Sequence, residues 1–313
     1  MRRMRERDLN IMKRQDINIR DPYVLVHDGH YYLYGTRSDT CWSKADGFDC
    51  YVGDNLDEYE GPIEIFHRSK DFFADQNFWA PECYCYKGEY YFVTTLGAED
   101  RKKGVYILKS ASPTGPFEFY AGCLTPEDWT CIDGTLWFEG GVPYLIFSHS
   151  FEDTASGLDG DFCCMKLSDD LKTSVSEPVT LFTAKDTAWA KPFPFAKQEF
   201  GIDGDCYFSD GPSVLKLDDG KLYMIISSWS VNGYAVGVAV SDSGKIEGPW
   251  RQQEEPLWPE NGGHGMFFKD LNGELVFTLH YPNDKYHERP TFWRVKLEDG
   301  VLKLDGRADS GEE

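Results

Sequence analysis

The sequence predicts an all-β chain folded as a single-domain five-bladed β-propeller. Three observations predict it: a hairpin motif that recurs five times, a composition rich in aromatic and turn residues, and no long helical pattern. The five segments are residues 22–36, 83–95, 135–149, 212–228 and 265–280. Each joins an apolar alternating run to a second run rich in Tyr, Phe, Leu and Ile. The turns fall at Asp28-Gly29, Lys87-Gly88, Gly140-Gly141, Asp219-Gly220 and Asn272-Gly273, pairs that suit tight hairpins. Successive turn glycines are 59, 53, 79 and 53 residues apart, a spacing suited to four-stranded blades. A sandwich would have no reason to repeat in this way. Further strands are expected at residues 104–110 and 234–241, each followed by a Gly-Pro-aromatic turn. The division is an N-terminal extension over 1–16, the propeller over 17–304 and a disordered tail over 305–313.

Composition narrows the function. Lys and Arg number 32 against 53 Asp and Glu, a net charge of −21 that would repel nucleic acid and anionic lipid. No apolar run is long enough to span a membrane as a helix. The basic N-terminus has no apolar stretch behind it, so a cytoplasmic protein is expected, or a secreted one had a leader been removed. The nine cysteines include no C-x-x-C pair and are expected to be reduced, small hydrophobes. Two acidic stretches, 153–161 and 201–205, look like solvated loops on the rim of a pocket; the first lacks the closing Glu of a calcium-binding EF-hand loop.

The repeat points to a site. Just before each hairpin's first strand stands Asp21, Glu82, Asp133, Asp210 or His264. The first strand of every propeller blade lines the axis, so these groups should converge, and crowded carboxyls raise at least one pKa. Two facing carboxyl groups are what glycoside hydrolysis requires. Trp42, Trp79, Trp137 and Trp229 are near in sequence, and one or two of them are expected to face a sugar.

The motifs Arg20-Asp21-Pro22-Tyr23, Trp79-Ala80-Pro81-Glu82, Ile132-Asp133-Gly134, Asp210-Gly211-Pro212 and Gly262-Gly263-His264-Gly265 stand in the order seen in glycoside hydrolase family 43, which the chain resembles over residues 17–300. The resemblance implies a five-bladed propeller and an inverting mechanism. It implies Asp21 as general base, Asp133 as the carboxylate that tunes the acid, and Asp210 as the acid. His264 would lie beneath the sugar, where a calcium ion could sit in the axial channel. Trp79, Glu82, Arg289 and His264 would contact substrate. The family usually carries Glu where Asp210 stands, a carboxyl one methylene longer. Glu82 is the reserve acid and Asp205 a third candidate.

The expected activity is exo-acting release of a terminal sugar from plant-type glycans, with α-L-arabinofuranose first and β-D-xylose or β-D-galactofuranose as alternatives. A carbohydrate-binding propeller without activity is the reading of another class. No organic cofactor is expected. The partner is an oligosaccharide or polysaccharide, bound by a monomer or weak homo-oligomer.

Overall fold

In the computed structural model, residues 10–153 and 159–311 are described. The expected extension (1–16), acidic loop (153–161) and tail (305–313) therefore lie partly outside the described residues. Blade one contains β1 (Ile11–Lys13), β2 (Ile19–His27), β3 (His30–Arg37), β4 (Gly47–Gly53) and β5 (Glu58–His67). Blade two contains β6 (Gln76–Tyr86), β7 (Glu89–Ala98), β8 (Arg101–Ser110) and β9 (Glu118–Ala121). Blade three contains β10 (Cys131–Glu139), β11 (Val142–His149), β12 (Asp161–Lys166) and β13 (Val179–Thr183). Blade four contains β14 (Asp210–Lys216), β15 (Leu222–Ser230), β16 (Gly233–Ser241) and β17 (Trp250–Gln252). Blade five contains β18 (Gly263–Lys269), β19 (Leu275–Tyr281), β20 (Arg289–Glu298) and β21 (Val301–Arg307). Within each blade, consecutive strands are antiparallel neighbours, and β1 adds itself to the outer edge of β5.

The inner hairpins form where the turn pairs stand, by two different routes. Asp28-Gly29, Lys87-Gly88 and Gly140-Gly141 all take positive φ at both residues, which matches the twist of a two-residue hairpin. In blades four and five, Lys216 pairs Leu222 and Lys269 pairs Leu275, so the loops are wider and only Gly220 and Gly273 are left-handed.

The apolar faces of neighbouring sheets seal against one another. Phe48, Phe92 and Phe117 pack between blades one and two, and Ile107, Leu145 and Phe147 between two and three. Phe162, Met224 and Ile226 fill the next seam, and Tyr223, Val238 and Phe277 the one after it. All nine cysteines are free.

No strand crosses the seam between blades five and one among the described residues, so no shared strand closes the ring. Met266, Phe268 and Phe292 join the core of blade one there, and buried polar groups complete the seam. Glu288 accepts hydrogen bonds from Arg20 (2.7 Å) and Ser38 (2.6 Å). Arg14 lies 3.2 Å from Asp309, and its guanidinium also reaches the carbonyl of Pro290. Asp309 further accepts the amide of Phe292 and pairs with Arg307. The segment expected to be a free tail therefore continues β21 and locks onto the fold as far as Gly311. In the same way residues 10–16 belong to blade one.

Removing one partner of a buried ion pair strands the other. The Asp309→Ala variant should lose about 3–5 kcal/mol in chemical denaturation. It should also expose the seam between blades five and one to protease first.

Candidate active site

The site depends on a backbone irregularity repeated in every inner strand. At the mouth end of each β2, β6, β10, β14 and β18, two residues oppose one on the neighbouring strand, a β-bulge. The first bulge residues are Asp21, Ala80, Asp133, Gly211 and His264, with φ of 50°, 45°, 59°, 54° and 40°. The second are Pro22, Pro81, Gly134, Pro212 and Gly265. Proline offers no ladder donor and suits a bulge. At Gly265 any Cβ would meet the carbonyl oxygen of Thr278 at 1.7 Å.

This register corrects the alignment expected from counting back from the turns. Asp21, Asp133 and His264 are true equivalents. Asp210 stands one residue earlier, level with Arg20, Trp79 and Ile132, all of which line the cavity. Glu82 stands immediately after the bulge, level with Tyr23 and Thr135, and does not line the cavity.

A ring of side chains holds the bulges. The residue on the second strand seven positions after each turn glycine is Thr36, Thr95, Ser148, Ser227 or His280, and all five are buried. Thr36 accepts the Ala80 amide (2.8 Å), Thr95 the Asp133 amide (2.9 Å) and Ser227 the His264 amide (3.0 Å). His280 Nδ1 accepts the Asp21 amide at 3.2 Å. The ring breaks once: the Gly211 amide donates to Asp133 Oδ2 (3.0 Å), and the Ser148 hydroxyl has no partner among the described residues.

The ionisable groups then meet at one atom. His264 Nδ1 lies 3.1 Å from Asp210 Oδ1 and 3.6 Å from oxygens of both Asp21 and Asp133. Burial works against a charged ring, but Asp133, Asp21 and Asp210 outweigh it and push the His264 pKa up to about 10. Asp133 and Asp210 act on each other and are driven in opposite directions. Burial, then the charge of Asp210, pushes Asp133 well above the carboxylate range. Burial acts the same way on Asp210, but hydrogen bonds from Asp133, His264 and Tyr234 outweigh it and hold that carboxyl low. Asp21 is fixed by Thr36, whose hydroxyl donates to Oδ2 at 2.6 Å.

Above this centre lies a cavity of about 450 Å³. Trp42, Trp79 and Trp229 line it. Trp79 is anchored by its indole N–H to the Cys41 carbonyl (2.7 Å) and meets Trp42 edge-on. Trp137 instead packs between blades three and four. The segment between β13 and β14 carries the short helix α1 (Ala196–Phe200). It supplies Phe193, Phe195, Phe200 and Phe208 to the wall. The rim expected to be acidic is thus largely aromatic on this side.

Two expected site residues lie elsewhere. Arg289 donates to the carbonyls of Gln15 and Glu288 and does not line the cavity; Arg20 is the arginine that does. Glu82 is buried beneath the floor and receives the Tyr84 hydroxyl. Burial pushes its pKa up to about 7 against hydrogen bonds from Tyr84 and Thr135. A raised pKa would suit an acid, but nothing from the pocket reaches it. Asp205 is exposed on the inserted segment. Sequence reasoning missed Arg20, Tyr234, His280 and Asn283.

The donor set for a calcium ion is poor. One atom each from Asp133, Asp210 and His264 lie within 4.8 Å of one another. Calcium takes about six to eight oxygens, and here the cluster offers three ligands, one of them a nitrogen. These residues do not fit the ion, and no step is routed through it.

With this geometry in place, comparison with known proteins defines the class. The model for glycosyl hydrolases family 43 matches residues 16–302, and the chain belongs to that family. It is a glycoside hydrolase of the inverting type. The solved structure of an endo-arabinase from Bacteroides thetaiotaomicron is 35% identical, with a TM-score of 0.83 over 92% of this chain and 98% of that one. A thermostable family-43 glycoside hydrolase is 25% identical, with a TM-score of 0.77 over 95% of each chain. An endo-1,4-beta-xylanase structure from Bacteroides thetaiotaomicron, at 24% identity and TM-score 0.70 over 95% of this chain and 97% of that one, shares the fold. No curated protein matches the chain.

The His264 pKa yields a signed expectation for stability. A pKa raised from 6.5 to about 10 adds stability that is complete below pH 6.5 and is lost as pH rises through 10. The stability of wild type relative to His264→Gln should therefore fall steadily between pH 6.5 and 10 in denaturant titrations. A constant difference across that window would mean the ring is neutral.

Proposed function

We propose that this hydrolase releases terminal α-L-arabinofuranose from arabinan-type glycans, with Asp21 as base and Asp210 as acid. The observation that carries the reading is the meeting of Asp21, Asp133 and Asp210 around protonated His264 on the floor of an aromatic-walled cavity. Likeness to an endo-arabinase supports the sugar.

Inversion needs a water between base and sugar. Asp21 and Asp210 each hold an oxygen within 3.6 Å of His264 Nδ1, so those oxygens stand no more than about 7 Å apart. These nearest oxygens therefore lie at or inside the lower edge of the ~6.5–9.5 Å spacing used by inverting enzymes, so the inverting assignment rests on the family and not on this distance. Asp21, oriented by Thr36, takes a proton from water as it attacks the anomeric carbon. The C–O bond to the leaving sugar breaks, and Asp210 protonates the departing oxygen.

At rest Asp210 is the anionic member of its pair, yet an acid must carry a proton. That proton is one hydrogen bond away in two directions, on Asp133 and on the His264 ring. A sugar oxygen entering the site takes up some of the donors that hold Asp210 low, and the proton moves across. Asp133 acts as the reservoir. This arrangement also suits the short Asp210 side chain: its strand position is one residue nearer the cavity than Asp21 and Asp133, and its side chain is the most exposed of the three.

A second reading, internal cleavage, is favoured by the same likeness, since the 35%-identical protein is an endo-arabinase. Products from linear α-1,5-arabino-oligosaccharides decide between them. The proposed activity gives arabinose from the first time point, whereas internal cleavage gives di- and trisaccharides first. Arabinose absent while xylose or galactofuranose is released would transfer the same machinery to another sugar.

Roles separate by leaving group. Asp21→Asn should lower turnover on every substrate by about two to four orders of magnitude. Asp210→Asn should cripple oligosaccharide hydrolysis but spare much of the activity on nitrophenyl arabinofuranoside, whose leaving group departs unprotonated. Glu82→Gln should show no such split. The reverse pattern would make Glu82 the acid.

A further inference from the structure

We infer that Tyr234 and His280 form a single brace behind the sugar that fixes the spacing between Asp21 and Asp210; both are positioning residues. The inference rests on the base and acid roles proposed above. Tyr234 Oη donates to Asp210 Oδ2 at 2.5 Å. Its ring stacks on His280, with centroids 5.9 Å apart and planes 25° from parallel. His280 in turn accepts the Asp21 amide through Nδ1, and the same nitrogen lies 3.5 Å from Asp21 Oδ1. The chain therefore runs acid, phenol, imidazole, base without a gap.

Each link is held from outside. Asn283 Oδ1 accepts from Arg20 at 3.0 Å and lies 3.3 Å from His280 Nε2. That places the His280 proton on Nε2 and leaves Nδ1 as acceptor for Asp21. Burial, then the charges of Arg20 and His264, keeps His280 neutral. Arg20 is itself fixed by Glu288. Tyr234 has its place because Gly263 has no side chain: a Cβ there would lie 2.0 Å from the Tyr234 ring.

His280 is also the exception in the ring of bulge acceptors. Thr36, Thr95 and Ser227 hold a backbone amide with a hydroxyl and need nothing larger. A hydroxyl at 280 would serve the Asp21 amide equally well. What it could not do is reach Tyr234, so the imidazole is explained by the stack.

The test uses variants that keep folding contacts and remove the brace. Tyr234→Phe keeps the ring and deletes the hydroxyl. Its kcat on arabino-oligosaccharide should fall about tenfold or more, since small misplacements of a catalytic group are that costly, while nitrophenyl arabinofuranoside turnover and both KM values stay within about threefold. His280→Asn keeps an acceptor where Nδ1 stands and removes the ring. It should lower kcat on both substrates by about tenfold or more, with KM again unchanged. In the double variant the loss on oligosaccharide should be less than the product of the single losses, because the two act as one unit. Equal losses for Tyr234→Phe on both substrates, wild-type kcat in His280→Asn, or a full product in the double variant would each overturn the brace.

Should His280→Asn fail to fold, His280→Thr, which copies blades one and two, carries the same expectation. If wild type cleaves no arabinofuranoside, the sugar assignment falls, and crystal structures of the variants judge the brace separately. The Asp210 carboxylate should move by about 1 Å or more in Tyr234→Phe, and that of Asp21 in His280→Asn. Carboxylates left in place would overturn it.

Discussion

The active site exists because each inner strand carries one residue too many. In a regular strand side chains alternate, and only every second residue could face the axis. The bulge breaks that alternation, so Arg20 and Asp21, or Ile132 and Asp133, line the cavity as consecutive pairs. A left-handed backbone at Asp21, Ala80, Asp133 and His264 costs of order 1–3 kcal/mol each. It persists because the bulge amides of Asp21, Ala80, Asp133 and His264 are held by a side chain of the preceding blade. The strain is therefore offset between blades, and the five sheets must close into a ring for the site to form.

Closure in turn decides where positive charge is needed. A chain with a net charge of −21 places three carboxyl groups around one atom. Isolated carboxylates would not stay ionised there. The His264 imidazolium and a protonated Asp133 lower the local charge, and Arg20, paired with Glu288, flanks Asp21. The same residues serve the seam and the site: Glu288 joins blades five and one while fixing the arginine beside Asp21. Disturbing the closure should be felt in catalysis.

Much of this was legible in sequence. The hairpins, their order and the Asp21, Asp133 and His264 positions follow from turn pairs and periodicity. The bulges were also visible, as Asp-Pro, Ala-Pro, Asp-Gly, Gly-Pro and His-Gly, one per blade. Counting from the turns instead drew in Glu82, whose charge fitted the pattern while Ala80, the true equivalent, has none. The ring of Thr36, Thr95, Ser148, Ser227 and His280 recurs seven residues after every turn glycine, a regularity that only hydrogen bonding gives meaning. Arg289 was chosen by its motif, but side-chain direction sends it to the outside of the seam. The phenylalanine wall could not be read, because the course of a long insertion depends on tertiary contacts with Phe151 and Trp229 rather than on its own pattern.

The single break in the ring falls beside Asp210, the proposed acid. At four blades the bulge amide is held by a group that does not change during the reaction: a threonine, a serine or a neutral imidazole. At blade four the Gly211 amide is held by Asp133, the carboxyl that burial and Asp210 push well above the carboxylate range. Ser148, the residue placed to do the job, is left buried and unpartnered among the described residues. The arrangement thus uses a carboxyl where the other blades use a hydroxyl or an imidazole. Its effect is to tie the backbone beside the proposed acid, Asp210, to the carboxyl proposed to supply that acid's proton, Asp133. In the proposed mechanism, proton transfer to Asp210 makes Asp133 anionic and strengthens its hold on the Gly211 amide, since a charged acceptor binds an N–H more tightly. On that reading the strand of Asp210 is gripped most firmly at the moment Asp210 is protonated, when its position relative to the leaving oxygen matters most.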